Sequence, residues 1–412
     1  MSQQIRNERY YQVLFVLCAA LPYINFYELT FLVWGTVILL TFAKRYSLSI
    51  LKLCGYFIAI LVIAFFSAFA RDFQVYNFIR DIAYLLKPVM GLLVGYQLCK
   101  DHIRNPLNMV IYAAVFLAVG HIIMVGVSLT FFHVRNMHNL RQHAGYFSDF
   151  EVYALIILLF KDRFDVAIPP RKARLFTILI GLSCFLYLAR TNFIQFMILW
   201  LAMKGYLKLN SRSVSILTAF ILCSAIGYAA IYYSNPRRGS HGFEAFLYKI
   251  KIGPIEPFKT KVNRDDWKDF NDNYRSYENI HTVRQMSTAG TPAILFGQGL
   301  GSRVDLKRKV WLQTSEMRYI PFVHNGYMTV FLKSGLVGVC ILLLSIAFFF
   351  RYSPSDDPLI TNINYLYLGT GLFLIVSYWV FIGLYFVPDS KSVFLGFLIA
   401  YKGRLLRKSA TL

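Results

Sequence analysis

Long runs of apolar residues recur along most of the chain and are separated by short polar stretches. A helix that crosses a bilayer needs about 20 apolar residues, and fewer where other helices surround it. The pattern predicts twelve spans, at roughly 10–24, 26–43, 51–70, 78–99, 107–132, 149–160, 175–189, 192–207, 214–233, 324–350, 360–385 and 392–403. We therefore expect an all-α polytopic membrane protein with about twelve transmembrane helices.

One long polar segment interrupts this pattern, at residues 234–323 between the ninth and tenth predicted spans. A connection of about 90 residues typically forms a small domain or a lid. Within it, RDDWKDFNDNYRSYE at 264–278 predicts a helix, and FGQGLGS at 296–302 predicts a glycine-rich turn. The chain thus divides into spans one to nine, a large outer loop with short helices, and spans ten to twelve with a tail. The three ranges are 1–233, 234–323 and 324–412.

The composition supports this fold class and narrows the partners. The 412 residues are 57% hydrophobic and 16% charged, yet the formal net charge is +22. A nucleic-acid-binding protein would carry its basic residues on a polar fold, so nucleic acid is not expected as a partner. Lysine and arginine are concentrated instead in the connections after even-numbered spans. The positive-inside rule then places both termini in the cytoplasm and residues 234–323 on the outer face.

The strongest local motif lies where the outer loop enters the tenth predicted span, in HNGYMTVFLKSGLVG. We expect His324 in the first turn of that helix, near an end that favours anions. Gly335 and Gly338 are expected on one side of the helix, where a neighbour can approach closely. An imidazole can act there as a general base or as a phosphate-binding cation. The alternative is an interfacial histidine that only caps the helix.

Several arginines lie in segments predicted to face outward. A charge at this depth usually has a partner or a function. If these arginines converge with His324, their planar guanidinium groups suit a diphosphate. The alternatives are that Arg190 reaches the lipid head groups and that the loop arginines pair with acids such as Glu278 and Asp272. The arginines are Arg141, Arg190, Arg275 and Arg284.

Other clusters give weaker signals. Charges inside the predicted spans either line a path for ions or substrate or pair within the bundle; they are Arg80, Asp81, Lys87 and Lys333. The acidic run from Asp265 to Asp272 is more typical of a solvated helix face than of a cation site. Histidines at 133, 138 and 143 recur every five residues, which is not a helical-face spacing. We expect neither a metal ion nor a cofactor.

The chain resembles the O-antigen ligase and O-antigen polymerase superfamily. His324-Asn325, nine residues and then Gly335-x-x-Gly338 is similar to that family's pattern H-[NSQ]-x9-G-x-x-G. YRSYE followed by LFGQGLGS resembles its loop pattern of an arginine with an aromatic residue and then a glycine-rich turn. HAGYFSDFE resembles its segment ahead of the sixth span, and an arginine between two spans, here Arg190, also recurs. The resemblance covers about residues 130–345.

The resemblance implies a bacterial inner-membrane glycosyltransferase that works on the periplasmic face without a metal. Such an enzyme takes a glycan from undecaprenyl diphosphate and transfers it to an acceptor sugar hydroxyl. A ligase uses lipid A-core as acceptor, and a polymerase uses the next lipid-linked repeat unit of O-antigen, capsule or exopolysaccharide. YRSYE and YIPFVHNGY favour the polymerase. Other envelope polysaccharide assembly proteins are further expected partners. The alternative from another class is a transporter of polysaccharide or lipid-linked glycan.

The resemblance also assigns roles to residues. His324 would take the acceptor proton, while Arg190 and Arg275 would bind the diphosphate and stabilise the leaving group. The implied substrate-binding residues are Arg141, Arg284, Asn325, Tyr274 and Tyr277. Trp267 and Trp311 would join the two tyrosines in stacking on sugar faces.

Overall fold

The computed structural model describes residues 3–409 apart from 44, 71, 102, 135–136, 208–210, 238–242, 255, 257–258, 264 and 313–314. Helices make up most of the described chain. In chain order they are α1 (Gln3–Ala20), α2 (Tyr27–Leu40), α3 (Leu48–Ala68), α4 (Val75–Leu98), α5 (Pro106–Thr130), α6 (Met137–Ala144), α7 (Asp149–Leu159), α8 (Pro170–Leu186), α9 (Arg190–Met203), α10 (Ser211–Ser234), α11 (Phe243–Ile252), α12 (Trp267–Asp272), α13 (Tyr274–Thr288), α14 (Thr291–Phe296), α15 (Gly326–Ala347), α16 (Pro358–Val380) and α17 (Lys391–Ser409). A described helix lies at each of the twelve predicted spans.

Four of the described helices are long and apolar enough to cross a bilayer: α3, α5, α15 with the short turn after it, and α16. The helix at the sixth predicted span, α7, has 11 residues. At 1.5 Å per residue it is about 16 Å long, roughly half the thickness of the hydrocarbon core. Residues 149–158 of α7 are buried, so its apolar surface contacts protein. The described chain is therefore predominantly helical and has membrane-spanning character.

Helices α4 and α17 approach each other closely through glycines. A side chain at Gly95 would collide with the backbone of Val393 and Phe397, and one at Gly396 would collide with the backbone of Leu92. Small residues at such positions let two helix backbones approach closely within a membrane protein. The last helix is thereby held against the middle of the bundle.

The charges inside the predicted spans are bonded to neighbouring groups. Lys333 on α15 pairs with Asp81 on α4 at 2.6 Å, and both side chains are fully buried. The ammonium of Lys87 donates to the carbonyl oxygens of Phe386 at 2.6 Å and Asp389 at 2.7 Å. Of the two alternatives, the geometry supports pairing within the bundle, because each cation already has close acceptors.

The outer segment contains a β-hairpin that the sequence interpretation lacked. Strands β1 (Val304–Leu312) and β2 (Ser315–Ile320) pair antiparallel, with an irregularity between Asp305 and Val310. Val304 and Leu306 face inward and pack with α13 residues in a small apolar core. This hairpin is a small addition to a described chain that is otherwise helical, as expected for an all-α fold.

The helix expected over 264–278 is broken in two. The carboxylate of Asp266 caps α12 by accepting from the backbone N–H groups of Lys268 and Asp269. The side-chain amide of Asn273 donates back to the carbonyl oxygen of Asp269 at 2.9 Å, and its own backbone is not helical. Asparagine offers the chain such local bonds in competition with a continuous helix. A second helix, α13, begins at Tyr274.

The glycine-rich turn docks on a break in α15. Gly335 has φ of 64°, a conformation that suits glycine and interrupts the helix. The backbone N–H groups of Gln298 and Gly299 donate to the carbonyl oxygens of Leu332 at 2.7 Å and Lys333 at 3.1 Å. The expectation of two glycines on one regular helix face is thus wrong. Gly335 breaks the helix and contacts the end of α14, while Gly338 faces Ser334 of its own helix.

Candidate functional site

His324 lies just before α15 rather than in its first turn. Asn325 is the capping residue, and its side-chain oxygen accepts from the backbone N–H of Met328 at 3.1 Å. The backbone N–H of Gly326 donates to the carbonyl oxygen of Phe381 at 2.9 Å. Protein groups therefore satisfy much of this helix end, and the imidazole is free of a capping role. The alternative of a histidine that only caps the helix is not supported.

The imidazole of His324 is held by an acid and two aromatic rings. Its Nδ1 lies 3.0 Å from both carboxylate oxygens of Glu278. The rings of Tyr274 and Phe381 meet it edge to face, with centroids 5.9 and 6.0 Å away. The negative charge of Glu278 raises the pKa of His324. The imidazole side chain remains 40% exposed, so it is accessible to a substrate.

A cavity of about 420 Å³ opens beside this histidine. Its polar lining includes Arg190, Arg275, Asn279 and Asn325, the residue next to His324. Most of the remaining wall is apolar and comes from α9, α11 and the end of α16: Phe193, Ile194, Phe246, Ile250, Trp379 and Val380. The cavity therefore combines cationic side chains with an apolar wall. A ligand that matches it carries both an anionic group and an apolar group.

Arg190 is positioned by its place at the start of α9 and by a contact with α11. Its guanidinium donates a hydrogen bond to the carbonyl oxygen of Lys249. Gly253, four residues after Lys249, leaves the space that the guanidinium fills, since a side chain there would collide with Arg190. Burial and the nearby charge of Arg275 both lower the pKa of Arg190. The guanidinium is thus fixed at the cavity wall near a second cation.

Four cations share this region. Desolvation by the surrounding protein lowers the pKa of Lys249, and the charges of Arg141, Arg190 and Arg275 lower it further. The charge of Arg275 also adds to the effect of burial in lowering the pKa of Arg141. A nearby acid is Glu256, whose carboxylate lies 3.8 Å from Arg275. Four cations against the carboxylates of Glu256 and Glu278 leave an excess of positive charge, which favours an anionic ligand.

Arg284 and Tyr277 do not take the places that the sequence suggested. Arg284 lies nine residues after Arg275 on α13, which is half a turn around the helix, and its side chain is exposed on the other side. Tyr277 is buried in the core of the outer segment and donates to the carbonyl oxygen of Leu306. Its ring faces are therefore covered by protein and are not available to a sugar.

The two tryptophans give no support for sugar stacking. Trp311 is 68% exposed on β1 and is not part of the cavity lining. The side chain of Trp267 lies outside the part of the chain that the structure describes. Tyr274 contacts His324 directly, so it is the aromatic residue of the predicted set that the structure brings to the site.

Sequence reasoning missed other residues of the site. Glu278 was considered as a partner of the arginines, and the structure gives it to His324 instead. Glu278 and Asn279 follow Arg275 by three and four residues, and this helical spacing was the available signal. Glu256 and Lys249 lie early in the segment 234–323, where no motif or hydrophobic periodicity marked them as site residues.

Three carboxylates of the acidic run, those of Asp266, Asp269 and Asp272, contact other protein groups. Asp266 caps α12, and Asp272 accepts a hydrogen bond of 2.6 Å from the hydroxyl of Tyr248. Asp269 contacts the ammonium of Lys259 and the backbone N–H of Asn263. In the part of the chain that the structure describes, no three histidine, cysteine or acidic residues group as metal ligands do. The side chain of His138 lies outside that part.

Comparison of the chain with protein-family profiles, with curated proteins and with solved structures gave no match.

Proposed function

We propose that the protein is a bacterial inner-membrane glycosyltransferase whose donor is a glycan on undecaprenyl diphosphate. The observation that supports this best is the cavity, which joins Arg190 and Arg275 to an apolar wall. A lipid diphosphate has the matching chemistry, because its phosphates need cations and its polyprenyl chain needs apolar surface. In this proposal all twelve predicted helices contribute to the membrane domain, both termini are cytoplasmic and the cavity faces the periplasm.

The reaction in this proposal is a displacement at the anomeric carbon of the donor sugar. The acceptor hydroxyl oxygen forms the new bond to that carbon, and the bond from the carbon to the diphosphate oxygen breaks. The electron pair of that bond leaves on the diphosphate, next to Arg190 and Arg275, which stabilise the growing charge. His324 takes the proton of the hydroxyl as general base. The products are the extended glycan and undecaprenyl diphosphate, and no metal or cofactor is used.

The acceptor distinguishes two forms of this function. We propose a polymerase of O-antigen, capsule or exopolysaccharide repeat units, since YRSYE and YIPFVHNGY resemble the loops of polymerases. The alternative is a ligase that uses lipid A-core as acceptor. A polysaccharide or lipid-linked glycan transporter is less supported, because its essential charges would lie at the membrane midplane, whereas Lys87 and Lys333, within the predicted spans, are bonded to protein groups.

The test is a gene deletion complemented with wild-type protein, His324→Ala or His143→Ala. Wild-type protein and the His143→Ala control, an exposed histidine outside the cavity, should restore long surface glycan, and His324→Ala should not. Single repeats on the surface identify a polymerase; loss of attached glycan with long chains left on the lipid carrier identifies a ligase. Full activity of His324→Ala would contradict the proposal, as would inhibition by EDTA that a divalent cation reverses.

A further inference from the structure

The carboxylate of Glu278 lies against His324 and close to the hydroxyl of Tyr274. One of its oxygens accepts from the backbone N–H of His324 at 2.8 Å, and both oxygens lie 3.0 Å from Nδ1 of the same residue. The Glu278 side chain is 1% exposed. A carboxylate is rarely buried without a cation or several donors, so this contact is a built feature of the site.

Two aromatic rings also contact the imidazole. Those of Tyr274 and Phe381 are nearly perpendicular to it, with centroids 5.9 and 6.0 Å away. Glu278 lies one turn of α13 after Tyr274, so a single helix supplies both the acid and one of the rings. With Nδ1 facing the carboxylate, the accessible nitrogen of the ring is Nε2.

We propose that Glu278 is the positioning residue of His324, and that it makes Nε2 the nitrogen that exchanges the proton with the acceptor. This inference rests on the proposed function. The neutral imidazole donates its Nδ1 proton to the carboxylate, which fixes the tautomer with a lone pair on Nε2. When Nε2 takes the acceptor proton, the carboxylate stabilises the resulting imidazolium.

The charge of Glu278 also sets the pH range in which His324 works as a base. Four neighbouring groups surround the imidazole of His324. Glu278 and Glu256 raise the pKa of His324 and Arg275 lowers it, while Tyr274 contacts the ring as an uncharged group. A base must be neutral before the reaction, so the rate rises as the pH increases through the raised pKa of His324. Removing the charge of Glu278 lowers that pKa and moves this limb of the profile to lower pH.

Glu278→Gln separates this role from a purely structural one. The amide oxygen of glutamine keeps the bond from the backbone N–H of His324, which turns the NH2 group toward Nδ1. Nδ1 must then accept, so the proton moves to Nε2 and the base is lost. We expect kcat to fall at least about tenfold at every pH, with the KM for the lipid-linked donor changed less than about threefold. Glu278→Asp keeps the charge and should retain an acid limb close to that of wild type.

The experiment measures two properties of the full-length protein in lipid nanodiscs. The first is the pH profile of glycan transfer. The second is the rate at which diethyl pyrocarbonate modifies His324, followed by peptide mass spectrometry from pH 5 to 9, because only the neutral imidazole reacts. The control is Glu316→Gln, the same change at an exposed position on β2. Glu278→Gln should lower the pKa obtained from the modification rate, and Glu316→Gln should not.

The two measurements fail in different ways. An unchanged modification pKa in Glu278→Gln, or wild-type turnover in that variant, would overturn the positioning role. If the wild-type protein transfers no glycan while the modification pKa still shifts, the pairing stands and the proposed function is wrong. If Glu278→Gln does not fold, the Glu278→Asp profile decides. A wild-type acid limb with reduced kcat supports the role, and full wild-type kinetics contradict it.

Discussion

Two guanidinium groups, those of Arg190 and Arg275, supply the cationic end of the cavity. Arg190 is tied to a backbone carbonyl, whereas Arg275 faces Glu256 at 3.8 Å, a distance longer than that of a tight ion pair. A phosphate oxygen that accepts from Arg275 would compete with that carboxylate. Replacing the guanidinium of Arg275 with another cation is therefore the most direct test of whether this side chain binds a phosphate.

Arg275→Lys should lose most of the transfer activity. A lysine ammonium keeps the charge but cannot make the two parallel hydrogen bonds of a guanidinium. One charge-assisted hydrogen bond contributes about 1.5–3 kcal/mol, so kcat/KM should fall by roughly tenfold to a hundredfold. Arg284→Lys is the matched control on the exposed side of the same helix and should stay within about twofold. A diphosphate role for Arg275 is ruled out if both variants have equal activity.

The sequence located the site better than it located the individual side chains. His324, Arg190, Arg275 and Asn325 follow from the motif and from charges at the membrane interface, where charge is costly without a role. The prediction for Arg284 failed because the expected helix ended at residue 278. In the structure α13 continues to Thr288, and the nine-residue spacing from Arg275 places Arg284 on the opposite side of the helix.

The break in α15 has the largest structural consequence of any single helix feature. Gly335 frees two carbonyl groups, and the glycine-rich turn satisfies them. Buried carbonyl groups within a membrane need partners, so the break and the turn depend on each other. This pairing gives a physical reason for a glycine at the tenth position after Asn325.

Gly335→Ala should destabilise the protein. A side chain must adopt positive φ there, which costs about 1–3 kcal/mol, and it also collides with the backbone of Leu295 and Phe296. Gly120→Ala is the control, because Gly120 lies in α5 with open space around it and should gain roughly 0.5–1 kcal/mol. Thermal unfolding in detergent, followed by tryptophan fluorescence, compares the two. Equal unfolding midpoints would show that the break is not required.

Helices were predictable from hydropathy, while the hairpin and the helix break were not. Apolar runs of the right length give helices because lipid or protein surrounds them on all sides. The pairing of β1 with β2 is irregular between Asp305 and Val310, and the hairpin packs on α13, a separate element of the same segment. Such contacts between remote parts of the chain leave little trace in a local pattern.

Charge is distributed unevenly over the whole molecule. The connections after even-numbered spans hold many of the basic residues, and the segment 234–323 holds another large group. In the proposed topology the first group orients the chain in the bilayer, and the second includes Arg275 of the cavity. Orientation and, under the proposed function, attraction of an anionic donor would give a chain of 57% hydrophobic residues two uses for a net charge of +22.

Single cysteines in a cysteine-free background test the predicted orientation. Lys309→Cys, on the exposed face of β1, should react with a membrane-impermeant maleimide in cells whose outer membrane has been permeabilised. Arg351→Cys, after α15, should react only once the inner membrane is opened. Both positions are exposed, so reactivity reports the side of the membrane. The reverse pattern would contradict the orientation and, with it, a periplasmic cavity.

The contacts of the glycine-rich turn determine how far the outer segment can be treated as a module. Gly301 donates to Asp81 at 2.7 Å, Leu300 donates to the carbonyl oxygen of Ala64 at 2.9 Å, and Lys333 joins Asp81 to the carbonyl oxygen of Ser302. The segment 234–323 is thus anchored to α3, α4 and α15 together. Under the proposed function, a chimera that replaces this segment to change the donor or acceptor would therefore have to carry α3, α4 and α15 along with it.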